Sequence, residues 1–358
     1  MPTFNHQHPG KQLTVVIPGL LPPATMLDNL LCDIRLPALT TLLQHAQRSQ
    51  ENDIPDLESL LATLTHTSRQ HDWPLAPIMA QHDHLPATEG YWLCADPVYL
   101  TPARNQLLLT DASVFDLDTN DSQALITAFQ QHFGEEYALF APHPKRWYLH
   151  IPHAPDLRTH PPSTICGQGI DAFLPTGKDA MAWHRFYNEV QMLFFSLPVN
   201  ASRQQRGLPP VNGIWCWGGG TLPTPSASPF QTVWGNSHLL SALANQQHCQ
   251  HSHLPHHQQQ GMTGLVLLDA LQQSLQYGDY HVWQNALQQL ETDWFELWLT
   301  QLRQGKLQTL HLWSLANSTA YHWRINKNNL WRFWRRAPLD TLLTTTYRPE
   351  KTSRDTPS

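Results

Sequence analysis

Residues 200–223 read NASRQQRGLPPVNGIWCWGGGTLP, and the reading of this stretch decides the fold. It follows a helix-like run, MAWHRFYNEVQMLFFSL, that stops at Pro198. It then turns a rigid GLPP corner, becomes the apolar segment 211–217 and ends on Gly218, Gly219 and Gly220. A short apolar strand running into a glycine turn is the usual build of a site at the carboxyl edge of a parallel sheet. Glycine suits such a turn because a residue without Cβ tolerates positive φ and lets backbone N–H groups approach a ligand closely. This reading gives Gly219 a positive φ. Arg203 and Arg206 stand three apart and share a face on a helical backbone, and guanidinium forks suit phosphate or carboxylate. The candidate ligand-binding residues are therefore Arg203, Arg206, Asn212, Gly218, Gly219 and Gly220. A plainer alternative stands beside this one: the glycines turn a corner, the tryptophans are core and the arginines pair with local acids. The glycine run does not match the spacing of a P-loop or a dinucleotide fingerprint.

Outward from this stretch, residues 13–21 (LTVVIPGLL) predict a first buried strand ended by Pro18 and Gly19. A helix over 36–46 places Leu36, Leu39, Leu42 and Leu43 on one face, with Pro37 in its first turn. A second helix over 56–66 has Asp56 as its cap. This β-then-α start favours an α/β fold. The Pro- and His-rich residues 74–90 predict a linker. From Gly90, YWLCADPVYL, NQLLLTDASVFDL, a helix over 121–133 and RWYLHIP form a small α+β module, and residues 152–180 form loops. The run 248–261 (HCQHSHLPHHQQQG) predicts a surface loop. Its Cys249, His248, His251, His253, His256 and His257 suit a soft divalent ion, although such loops bind added nickel or copper without a physiological role.

Residues 264–269 predict a strand that ends on Asp269, followed by helices over 270–276 and 281–303. The longer helix carries a core stripe of Trp283, Leu287, Leu290, Trp294 and Trp298. LQTLHLWSL then reads as a strand, and YHWRI with LWRFWRR as a closing hairpin around Asn326 to Asn329. The expected division is a first core part at 1–89, an inserted α+β domain at 90–180, a second core part at 181–345 and a disordered tail at 346–358.

The 358 residues, 41% of them hydrophobic, describe a folded protein with room for real cores. A net charge of −6 invites neither nucleic acid nor an anionic membrane, and it outweighs the aromatic, arginine-rich RFWRR cluster. Five scattered cysteines (Cys32, Cys94, Cys166, Cys216 and Cys249) form no CxxC pair, which argues against a zinc ribbon or a disulfide framework. No basic stretch leads into an apolar run at the N-terminus, and no segment reaches 18 uninterrupted apolar residues. The expected location is cytoplasmic. No GxSxG elbow, HExxH or Walker A sequence is present.

The segment HRFYNEVQMLFFSLPVNASRQQRGLPPVNGIWCWGGGTLP resembles cofactor-independent phosphoglycerate mutases of archaeal type. In that family a helix runs into an HPxN turn, an arginine, a GxxPAN corner and a WLWGxG strand end. The matching residues are Pro198, Asn200, Arg203, Gly207, Pro210, Asn212, Trp215, Trp217, Gly218 and Gly220. Leu197, Val211 and Cys216 depart from the motif's histidine, alanine and leucine. VVIPGLLPP, RLPALTTLL and LETDWFELWL are weaker echoes. The pattern is also similar to the bacterial RpfE-type regulatory proteins. The resemblance implies an alkaline-phosphatase-like core, a mostly parallel sheet sandwiched by helices, with a smaller inserted α+β domain.

Phosphoryl chemistry in that superfamily implies two divalent ions, manganese or zinc, held by Asp and His at strand ends, with a Ser or Thr nucleophile. Pro18 and Gly19 stand where the family has a metal-binding aspartate, and Ala316 and Asn317 where it has an Asp–His pair. Thr25, Thr40 and Thr41 are nucleophile candidates, but none sits in a matching motif. Asp269, Asp279 and His281 are the remaining metal-ligand candidates, with helix caps and surface polars as their plain alternative. The expectation from the sequence is a phosphoglycerate-mutase-like protein without a cofactor, regulatory or anion-binding, whose partner is an anionic small molecule or another protein. The alternative is an active metal-dependent mutase or phosphatase with rearranged ligands.

Overall fold

The computed structural model describes residues 12–31, 34–103, 106–166, 168–255, 261–331 and 337–344. The described strands are β1 (Gln12–Val16), β2 (Gln47–Glu51), β3 (Tyr91–Ala103), β4 (Gln106–Asp111), β5 (Ala138–His143) and β6 (Arg146–Ile151). They continue with β7 (Gly213–Gly220), β8 (Thr232–Trp234), β9 (Gln250–Ser252), β10 (Gly264–Leu267), β11 (Thr309–Ala316) and β12 (Thr319–Asn326). The fold is mixed α/β, with a mostly parallel sheet, flanking helices and a second, antiparallel sheet. The chain divides into two compact units. The expected tail at 346–358, RFWRR, Cys32, His256 and His257 lie outside the described residues.

The first unit holds the described parts of Met1–Asp53, Pro255–Thr263 and Leu268–Ser358. Within it β1 pairs parallel with β11, from Gln12 opposite Thr309 to Val16 opposite Trp313. β11 turns back antiparallel into β12, and β12 pairs antiparallel with β2. The β11–β12 connection is the two-residue turn Asn317–Ser318, with φ of 51° and 57°. Two central residues at positive φ match the right-handed twist of the strands they join. The hairpin expected around Asn326 to Asn329 is thereby corrected, because Asn317 and Ser318 supply the conformation a tight turn requires. Helix Pro37–Gln44 starts on proline, and the backbone N–H groups of Ala38 and Leu39 donate to the buried Glu291 carboxylate. Glu291 stands where the helix Tyr280–Leu290 widens into a π turn, Glu291–Phe295, before Glu296–Gln304. The Trp283, Leu287, Leu290, Trp294 and Trp298 stripe is buried, as its helical spacing requires.

The second unit holds Ile54–Leu254 and Gly264–Leu267. β8 lies between β10 and β9, parallel to both. β9 occupies part of the run expected as a histidine-rich loop, where His251 Nε2 bonds the Gly235 carbonyl at 2.9 Å. The antiparallel sheet is built on the 13-residue β3, which pairs with β4, β6 and β7. β7 is the organising stretch. It lies antiparallel to β3, which corrects the expectation of a strand at the edge of a parallel sheet. All eight of its residues are buried, and Ile214 and Cys216 pack into a core with Phe129, Trp147, Val190 and Phe194. That core lies against helices Thr119–Phe133 and Ala180–Phe195.

The first half of the linker expected at 74–90 is instead the helix Leu75–His82, with Leu75, Ala76, Ile78 and Ala80 buried. Its Pro77 falls in the first turn, where a missing N–H costs no helical hydrogen bond. Cys94, Cys216 and Cys249 are free thiols, and the Cys166 thiol donates to Asp111 Oδ2 at 3.1 Å. No described helix is long and apolar enough to cross a membrane.

Candidate functional site

The two ends of β7 carry different chemistry. At its amino end Arg203 is fully buried and donates to the Pro209 carbonyl (2.9 Å), Asp121 Oδ2 (2.7 Å) and the Asp116 carbonyl (2.6 Å). Arg206 reaches the same carboxylate at 2.6 Å and Asp118 at 3.5 Å. Asn212 hydrogen-bonds both ways with the Leu100 backbone, and Asn200 ties the Phe194 and Val211 carbonyls together. These groups hold the corner in shape, and their hydrogen bonds end inside the fold.

Gly218, Gly219 and Gly220 sit at the carboxyl end of β7, about 25 Å from Asn212 at the rise of an extended strand. The structure therefore does not bring the six candidate ligand-binding residues into one cleft. Positive φ falls on Gly218 (66°), not on Gly219. Gly219 is needed for space: a Cβ there would stand 2.5 Å from the Tyr91 hydroxyl. A Cβ on Gly220 would stand 2.4 Å from Pro74 Cβ.

Trp217 and Gly218 line a cavity of about 120 Å³ whose walls carry Asp56, Glu58, Arg69, Asp72, Arg158, Thr159 and His160. Each group is fixed locally. Asp56 caps the helix Leu57–Leu64 by accepting from the Ser59 N–H at 2.7 Å, which puts Glu58 in the first turn. Glu58 accepts from the Ser163 hydroxyl at 2.6 Å. Asp72 accepts from the Trp73 N–H at 2.8 Å and from the Thr159 N–H at 3.1 Å. The Gly218 N–H donates to Thr159 Oγ1 at 3.2 Å, and the Trp217 indole to Asp96 Oδ2 at 2.7 Å. Neither Arg69 nor Arg158 pairs with a carboxylate among the described residues.

Burial, joined by the charge of Asp56, pushes the Glu58 carboxyl up to about 8 against the Ser163 hydrogen bond. Burial pushes Asp96 up to about 7, against the Trp217 hydrogen bond. Asp56 is also raised by burial. A carboxylic acid still protonated near neutral pH can donate to a ligand oxygen, the requirement for general acid work. Sequence reading singled out Gly218 and Trp217, but of the charged groups here it saw only Asp56, as a cap. The other groups arrive from residues 58–72, 96 and 158–160, and no local spacing links them.

The strand ends that the resemblance assigns to metal ligands are closed by other contacts. After β1, Gly19 (φ 81°) packs so closely that a Cβ would stand 2.7 Å from the Leu271 carbonyl oxygen. Trp283 Nε1 donates to the Gly19 carbonyl at 2.8 Å, and Leu20 and Leu21 are buried. After β11 the chain turns back at once through Asn317 and Ser318. Asp269 follows β10 and is raised by burial, Asp279 caps the helix Tyr280–Leu290, and His281 is exposed. Among the described residues no three His, Cys, Asp or Glu side chains converge to hold a metal. The family's ligand set does not fit these strand ends.

No family model matches the chain. A probable 2,3-bisphosphoglycerate-independent phosphoglycerate mutase of Geobacter sulfurreducens is 31% identical over 130 residues, 35% of this chain and 32% of that protein. The enzyme of Methanosarcina mazei is 28% identical over 133 residues, 36% of this chain and 32% of its own length. The match thus spans about a third of the length of these curated relatives. A solved structure from Pyrococcus horikoshii shares the fold, with a TM-score of 0.51 at 12% identity, covering 88% of this chain and 87% of that one. The cofactor-independent phosphoglycerate mutase of Thermoplasma acidophilum aligns with a TM-score of 0.45 at 14% identity, over 88% of this chain and 90% of that one. The expectation of a chain without a cofactor is corrected by these relatives, since the phosphoryl chemistry of their family, as set out above, runs on two divalent ions. Over roughly a third of its length, this chain is similar to the 2,3-bisphosphoglycerate-independent phosphoglycerate mutases.

Proposed function

We propose that the chain carries out phosphoryl chemistry on a small phosphorylated acid, as a metal-dependent phosphomutase or phosphatase whose ligand set differs from the family's. The sequence match to bisphosphoglycerate-independent mutases carries this reading. The cavity at Gly218 supports it, with Glu58 as a proton donor and two guanidiniums that have no carboxylate partner. The packed turn after β1 means that the ions would be held elsewhere than at the family's strand ends. The test is conversion of 3-phosphoglycerate to 2-phosphoglycerate, and hydrolysis of a nitrophenyl phosphate, by chelator-washed full chain with manganese or zinc restored. Metal-dependent turnover of either substrate is expected. No turnover of either with any added metal would sink the enzyme reading.

A second reading is favoured by that same packed turn: a cytoplasmic, RpfE-type regulatory protein that holds an anionic small molecule or a partner protein. It predicts ligand binding without turnover.

A further inference from the structure

The cavity at Gly218 has a neighbour. A shallow groove of about 390 Å³ is lined by His71, Asp156, Arg158, Thr176, Gly177 and Lys178. Arg158 lines both spaces. Its backbone is clamped, with the Arg158 N–H donating to the Thr176 carbonyl at 2.8 Å and the return bond at 3.1 Å. Among the described residues its exposed side chain pairs with no carboxylate, whereas Arg146, Arg203 and Arg206 each pair with one. In the groove the Asp156 carboxylate pairs with His71 (3.1 Å) and Lys178 (3.5 Å), and the Asp156 N–H donates to Asp179 Oδ2 at 2.8 Å. The cavity is the opposite in kind: narrow, rich in hydrogen-bonding groups from Glu58 and Asp72, with Arg69 as a cation.

From this pairing we infer that groove and cavity form one two-chamber site joined at Arg158, which takes a small phosphorylated hydroxy acid. The phosphate, strongly hydrated and carrying up to two charges, lies in the open groove on Lys178 and Arg158. The carboxylate and hydroxyl end enters the cavity, where Arg69 meets the carboxylate, Glu58 donates and Asp72 accepts. The inference deepens the functional reading above and rests on it for the class of substrate.

Calorimetry on the full chain tests it with 3-phosphoglycerate, inorganic phosphate and glycerate as separate probes. 3-Phosphoglycerate should bind more tightly than either fragment. Arg158→Ala should weaken it by about tenfold or more, the worth of one charge-assisted contact. Lys178→Ala should weaken inorganic phosphate and spare glycerate, and Arg69→Ala should do the reverse. Wild-type affinity in Arg158→Ala, or equal effects of Lys178→Ala and Arg69→Ala on both fragments, would overturn the two-chamber site. A wild-type chain that binds no 3-phosphoglycerate overturns it as well. Turnover that ignores Arg158 sinks this site but leaves the enzyme reading standing. Arg158-dependent binding without turnover does the opposite.

Discussion

β7 joins two charged regions that use arginine in opposite ways. At the amino end Arg203 and Arg206 converge on Asp121, and each nitrogen of the buried guanidinium donates to an acceptor within the fold. At the carboxyl end Arg69 and Arg158 border a cavity and meet no carboxylate among the described residues, while burial raises Glu58 and Asp96. The residues that carry the family resemblance lie mainly at the satisfied end. A motif of this kind can therefore mark a corner that must be built the same way each time, while the groups left open for a ligand lie elsewhere.

The largest expected effect breaks or upholds this contrast directly. Arg203→Ala leaves the buried Asp121 carboxylate with only one guanidinium, so urea denaturation should show a loss of about 3–5 kcal/mol. Arg69→Ala and Arg158→Ala should stay within about 0.5 kcal/mol of the wild type. A small loss at Arg203, or a large one at Arg158, would erase the distinction.

The glycine run sharpens it next. Gly219→Val drives a branched side chain into Tyr91 and Leu93 and should cost about 1–3 kcal/mol. Gly218→Ala has room, with Leu75 Cβ at 3.4 Å, and bears only the left-handed strain of about 1 kcal/mol. A reversed ranking would mean that backbone conformation, rather than space, governs this end.

The third prediction concerns pH. The Glu58 carboxyl is raised in the fold from an ordinary 4.5 to about 8, so the stability it contributes is full below about 4.5 and lost as pH rises toward 8. Glu58→Gln should flatten that decline in denaturation curves taken across this range. Asp118 has the opposite sign. The Asp121 N–H holds it below its ordinary 3.8, so its contribution is present above that value and lost as pH falls through its lowered value. An unchanged alkaline slope in Glu58→Gln would remove the buried acid from the account.

The smallest effect belongs to Arg206→Ala. That side chain is 42% exposed and its ion pairs are screened by solvent, so its loss should leave the urea midpoint indistinguishable from that of the wild type. A cost equal to that of Arg203→Ala would make the two arginines a single inseparable clamp.

Local chemistry made much of the fold legible. Asp56 caps its helix as its position before LESLL suggested, Asp279 caps another, and the Trp283 to Trp298 stripe is core. Strand partners were not legible, because the apolar run 211–217 says that the strand is buried but not that β3 lies alongside, antiparallel. The helix Leu75–His82 was hidden because its one proline, Pro77 in the first turn, looks in sequence like a proline in a linker. Nearly all of the cavity was illegible. Glu58, Asp72 and Arg158 meet only after the antiparallel sheet and the 158–163 segment are in place, and a raised carboxyl leaves no trace in its own sequence neighbourhood.

The Glu291 carboxylate, 253 residues along the chain from Ala38, sets an order of events during synthesis. The first turn of helix Pro37–Gln44 emerges from the ribosome long before the group that satisfies its free N–H donors. β1 likewise waits for β11. The second unit, Ile54–Leu254 with Gly264–Leu267, is complete by residue 267 and can condense while the early segment is still without its partners. Nascent chains arrested before residue 291 should thus protect β3 and β7 from protease while residues 12–53 are still cut. Early protection of 12–53 would show that this segment finds other cover.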